Sequence, residues 1–185
     1  LVRFVPDKND VGLGRLLKGI QYIEDNALRE MLITTLSDCT NTNNIFCKYE
    51  ESYTKLAPLF SLDVYWPPNT PLENNVWGTE FGRGTFTACV RKTRRVLEWA
   101  TAPTEPPVEG NSYIHVGRGL HDLKSGMPNE AISGIADFAV ECRTSQDLSF
   151  IPPNSLNAII TDPPYYDLIH YGEIGDFFYV WLRAG

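Results

Sequence analysis

The run Asp162-Pro163-Pro164-Tyr165 sets a carboxylate and an aromatic ring three residues apart, across two prolines. Neither proline can donate a backbone hydrogen bond, and both fix φ at about −65°. A strand that meets them stops. The preceding stretch, Leu156-Asn157-Ala158-Ile159-Ile160-Thr161, is short and mostly apolar, and Pro152, Pro153, Asn154 and Ser155 bound it upstream. Its length and flanks predict a buried parallel strand. The acid and the ring then stand at the carboxyl end of that strand, the edge at which open α/β sheets bind ligands. With the carbonyls of Asp162 and Pro163 turned outward, three acceptors converge beside the Tyr165 ring. Such a site suits a flat ligand that donates through an exposed NH2 group, such as an adenine or cytosine turned out of a helix. A plain strand-end turn is the competing reading, because Asp and Pro are ordinary turn residues.

The longer run Thr161-Asp162-Pro163-Pro164-Tyr165-Tyr166-Asp167, followed by Asp176-Phe177-Phe178-Tyr179-Val180-Trp181-Leu182, resembles motif IV of the amino-methyltransferases. It resembles one branch more closely, the adenine-specific DNA methylases. The similarity covers roughly residues 156 to 183, with echoes at Leu36-Ser37-Asp38-Cys39 and Glu73-Asn74-Asn75-Val76-Trp77-Gly78. It implies an α/β fold, a partial Rossmann-like methyltransferase sheet with helices and long loops. It also implies S-adenosylmethionine as cofactor and DNA as partner, with the exocyclic amine of adenine as acceptor. Asp162, Pro163, Pro164 and Tyr165 then form the catalytic group. The amine lone pair is conjugated into the base. Accepting the N–H protons at Asp162 and the Pro163 carbonyl returns density to the nitrogen and aligns it with the sulfonium methyl, so positioning and electrostatics supply the rate. Tyr165 stacks on the base. Tyr166 lines the pocket and Asp167 anchors the turn. Methyltransferases acting on RNA or protein glutamine often carry Asn in place of the acid, so Asp162 favours DNA. Those enzymes remain alternatives, as does a non-catalytic nucleic-acid-binding or partner-binding module.

Other candidates surround the motif. In the resembling family, a loop ahead of motif IV carries an acid near the adenine of the cofactor, and Asp147 in Thr144-Ser145-Gln146-Asp147 matches it. A turn cap is the plainer role for that residue. Arg91, Arg94 and Arg95, with Lys92 beside them and Arg83 upstream, form the dense basic patch expected to meet DNA phosphates; a solvated helix face is the alternative. The family's glycine-rich cofactor loop has no clear counterpart. Gly12-Leu13-Gly14 follows no strand, and Gly117-Arg118-Gly119 reads as a turn. The chain therefore reads as an excerpt of a longer protein, beginning at Leu1 and ending at Gly185.

Composition sets limits on these readings. The 185 residues suffice for one domain with a real core. Sixteen basic against 23 acidic residues give a net charge of −7, which counts against DNA binding unless a local patch supplies the cations. No apolar run approaches a membrane span. Cys39, Cys47, Cys89 and Cys142 include no C-x-x-C pair, which argues against zinc and a disulfide framework and for a reducing cytoplasm. None follows a proline, as a ring-carbon methylase would need. His115 and His121 lack partners at metal-ligand spacing, so no metal is expected.

The positioning elements fall into two parts: a helical, loop-rich segment over 1–103, and an α/β part over 104–185 that carries the motif. The first holds a helix through Leu13–Ile23, weakened by Gly12, Gly14 and Gly19, and a helix capped by Asn26. Leu28, Met31, Leu32 and Leu36 make the core stripe of the second helix, which ends among Asp38, Thr40, Asn41, Asn43 and Asn44. Residues 49–84 read as loop, with Tyr53, Phe60, Tyr65, Trp66 and Trp77 either stacking on bases or packing beneath the loop. A strong helix spans Thr85–Ala100, with Phe86, Cys89, Val90, Thr93 and Leu97 inward. Ala102–Gly110 reads as a linker, and Asn111–Val116 and Phe138–Arg143 as strands. After the motif, Ile174, Phe177, Phe178, Trp181 and Leu182 form a helix face that closes onto the sheet.

Overall fold

A computed structural model of the chain describes residues 8–61, 72, 74–77, 84–166 and 169–185. The fold is mixed α/β, with helices and small antiparallel sheets. It divides into two compact units: Leu1–Arg94 together with Pro164–Gly185, and Arg95–Pro163.

The first unit is built on helix packing. α1 (Lys8–Gln21) buries Leu13 and Ile20, and a Cβ on Gly12 would meet Val76 at 3.4 Å. The Gly12-Leu13-Gly14 pair is therefore helix interior. α2 (Asn26–Thr40) begins one residue before the expected point. Its N-cap is Asp25, whose carboxylate accepts the Leu28 N–H at 2.9 Å. The Asn26 side chain, the expected cap, accepts from the Arg29 guanidinium at 2.7 Å instead. A carboxylate at this end is favoured over an amide by the helix dipole as well. The core stripe also shifts. Leu28 is exposed, Met31 and Leu32 are half-buried, and Ile33, Leu36 and Cys39 are buried. Both α1 and α5 (Tyr171–Ala184) pack on α2. The core cluster joins Leu13, Ile20, Ile33, Leu36 and Cys39 to Val76 and to Cys89 of α3 (Phe86–Thr101). Trp181 packs against it from α5.

Two corrections belong to this unit. Part of the expected loop is a hairpin, β1 (Lys48–Glu50) paired antiparallel with β2 (Lys55–Ala57), and Thr54 takes the left-handed turn at φ 46°. The face of α5 is half-buried, with Leu182 exposed, and it packs on α2 rather than on a sheet. Phe60 meets Phe177 and Phe178 with ring centroids 5.7 and 5.8 Å apart. Phe60 is thus packing, whereas Tyr53 and Trp77 are exposed. Tyr65, Trp66, Glu73, Gly78, Arg83 and Asp167 lie outside the described residues.

The second unit is thinly cored. β3 (Thr104–Glu105) pairs antiparallel with β4 (Ile114–His115), so the expected linker contains a strand and the expected strand at 111–116 shrinks to two residues. The short α4 (Pro128–Ser133) starts on proline, and Gly134 ends it at φ 79°. Ala136 is buried beside it. Of the expected strand at 138–143, only Phe138 makes a bridge, parallel to Ser125. Residues 156–161 form no strand, and their side chains are exposed. A strand is held by its neighbours, and an apolar run without one cannot order itself. Among the described residues, no segment pairs with 156–161. No helix among the described residues is long and apolar enough to cross a membrane.

Candidate functional site

Asp162, Pro163, Pro164 and Tyr165 follow one another in irregular, exposed backbone. Two prolines remove two backbone donors, so no ladder can absorb this stretch, and its carbonyls stay available. Tyr165 is 54% exposed and Tyr166 is 95% exposed. The Tyr165 N–H donates to the Tyr171 hydroxyl at 3.1 Å. That bond ties the end of the motif to the first turn of α5, where the Tyr171 and Ile174 N–H groups donate to the Ile169 and His170 carbonyls. The structure thus presents an open acceptor, two stiff residues and an open ring with its backbone pinned.

Asp147 lies in an exposed loop and acts as its own turn cap. Its Oδ1 accepts the Ser149 N–H at 3.0 Å. The hydrogen bonds from Ser149, side chain first and then backbone, hold its carboxyl below the usual carboxylate range, with Arg143 adding attraction. Gly117 has φ 67°, and a Cβ on Gly119 would overlap the Thr101 carbonyl. The second glycine is therefore filled by the chain's own backbone, as a turn requires. Arg91, Arg94 and Arg95 are exposed and lie at i, i+3 and i+4 of α3, one helix face. Lys92 is committed elsewhere, to the Asp38 carboxylate at 2.9 Å.

Two of the core thiols are held protonated, while the hydrogen bond with Cys39 pulls the third, Cys89, down. Cys39 and Cys47 are fully buried. The Cys39 thiol is pushed up by its hydrogen bond with Cys89 and then by burial, and burial pushes Cys47 up. No metal-binding group of His, Cys, Asp and Glu occurs among the described residues.

One polar cluster is poorly signalled by the sequence. Residues 40–44 read there as a helix stop, yet Thr40, Thr42, Asn43 and Asn44 are buried. Asn43 Nδ2 donates to the Cys39 carbonyl at 2.7 Å and the Gly84 carbonyl at 2.6 Å. Thr42 Oγ1 donates to the same Gly84 carbonyl at 3.1 Å, and Asn74 Nδ2 to the Thr42 carbonyl at 3.2 Å. Gly84 sits at φ 74°, where a Cβ would collide with Thr42 Oγ1. The available signal was density: four side-chain hydrogen-bonding residues, Thr40 through Asn43, precede Asn44 without a break.

Compared with protein-family models, curated proteins and solved structures, the chain matches none.

Proposed function

We propose that the chain carries the base-engaging edge of a DNA amino-methyltransferase acting on adenine. The observation behind this reading is Asp162-Pro163-Pro164-Tyr165 itself: an exposed carboxylate and an exposed ring flank two prolines, and the ring's backbone is pinned by Tyr171. An amine held by the Asp162 carboxylate and the Pro163 carbonyl gains electron density and a fixed direction. The Tyr165 face stacks on the base. The Rossmann-like sheet belongs to the same proposal. So does DNA contact through Arg91, Arg94 and Arg95.

The described residues do not fit S-adenosylmethionine. The Asp147 carboxylate is engaged by its own loop, and the space at Gly119 is filled by Thr101. The same observations favour a second reading, a nucleic-acid-binding module without cofactor. Methyl incorporation into adenine by the complete gene product separates the two. The enzyme reading requires incorporation, and binding of unpaired bases without incorporation supports the module.

A further inference from the structure

α2 and α3 meet along short side chains. The Thr35 and Thr93 hydroxyls share a hydrogen bond at 2.9 Å. Cys39 stands about one helical turn after Thr35, and Cys89 about one turn before Thr93. A further step in the same direction reaches Asn43, which donates to the Gly84 carbonyl at 2.6 Å, just ahead of α3. Successive contacts therefore run opposite ways along the two helices, and the cysteines meet between them. Both belong to one core cluster, and their thiols share a hydrogen bond. Side chains this short touch only where backbones are close, and a disulfide needs Cα atoms about 4.4–6.8 Å apart. The pair lies outside residues 162–165, so it stands apart from the proposed function.

The two thiols are not equivalent. Cys39 has no exposed surface, and Cys89 is 5% exposed, so a small oxidant reaches Cys89 first. The Cys39 sulfur is held by the chain: it donates to the Gly84 carbonyl at 3.3 Å and accepts from Asn43 Nδ2 at 3.2 Å. The hydrogen bond with Cys39 keeps the Cys89 thiol below the usual thiol range, against burial and Asp38, which push it up. The thiolate is the reactive form.

We propose that Cys39 and Cys89 form a peroxide-responsive modification site, a reversible disulfide that locks α2 to α3. The Cys89 thiolate bonds to one oxygen of hydrogen peroxide as the O–O bond breaks. Hydroxide leaves and takes up the proton that Cys89 released, giving water and a sulfenic acid. The Cys39 sulfur then attacks the Cys89 sulfur and the S–O bond breaks. The second hydroxide leaves with the Cys39 proton as water. Two thiols are oxidised and one peroxide is reduced. The bond closes a loop of about fifty residues, which removes freedom from the unfolded chain.

One equivalent of hydrogen peroxide added to the full chain, followed by tryptic mapping without reductant, tests this. Peptide 30–48, which holds Cys39 and Cys47, should be joined to peptide 84–91, which holds Cys89. Fragmentation should place the bond on Cys39, in a chain that stays monomeric on a non-reducing gel. Dithiothreitol should reopen it. The linked chain should unfold about 5 °C or more above the reduced one. With dimedone present during oxidation, the adduct should fall on Cys89. Bonds to Cys47 or Cys142 that leave Cys39 or Cys89 free would overturn the proposal. So would thiols that both survive peroxide, a linkage found only in dimers, a linked chain that unfolds no higher, or a dimedone adduct on Cys39.

Discussion

Tyr165 contributes a ring, and its hydroxyl has no assigned part in stacking. Tyr165→Ala should weaken engagement of an unpaired base by about 1–3 kcal/mol, the usual worth of one stacked ring. Tyr165→Phe should be mild. If titration with base-containing oligonucleotides found Phe as harmful as Ala, the hydroxyl would be the working group. Gly84 is the residue on which the buried polar cluster closes. At φ 74°, with Thr42 Oγ1 where a Cβ would stand, Gly84→Ala should destabilise by more than about 1 kcal/mol. For a chain of this size that is a fall of roughly 2–4 °C in Tm per kcal/mol. An unchanged Tm would show that the cluster tolerates the methyl by moving Thr42. Neither Gly84 nor Asn43 is marked by periodicity, because their roles come from hydrogen bonds that reach across about forty residues.

Helices were the legible elements. α3 and α5 carry apolar residues at helical spacing, and their expected positions agree with the structure to within a few residues. α2 was found, but its cap and stripe moved, since Asp25 outcompetes Asn26 and two helices pack on its later turns. Strands were not legible in the same way. Leu156–Thr161 has the composition of a buried strand, but composition states a preference and a ladder needs a second strand. The two hairpins, each two or three residues a side, lie below the length at which alternation signals anything. The Arg91, Arg94 and Arg95 face makes its own prediction. If it meets phosphates, changing all three to Gln should weaken DNA binding for every sequence alike. The slope of log affinity against log salt should then fall by about 0.9 per lost contact. An unchanged slope would return α3 to an ordinary solvated face.

At the scale of the whole molecule, the sheet expected around the motif is where sequence and structure part. Asp162 and Tyr165 stand exposed, while the sheet that would frame them rests on pairings absent among the described residues. The same shortage governs the cofactor. A micromolar site is worth about −8 kcal/mol, and one with half its walls about −4, which is only millimolar. The 185-residue chain alone should therefore bind S-adenosylmethionine at millimolar affinity or worse, by calorimetry. Micromolar binding would locate a cofactor site that Asp147 and Gly119 do not account for. The central claim is that Asp162 accepts the target amine, and transfer of a labelled methyl group to adenine in DNA tests it most directly. The complete gene product should incorporate label, and Asp162→Ala should abolish incorporation while the unfolding temperature holds. Incorporation by Asp162→Ala at the wild-type rate would contradict the claim.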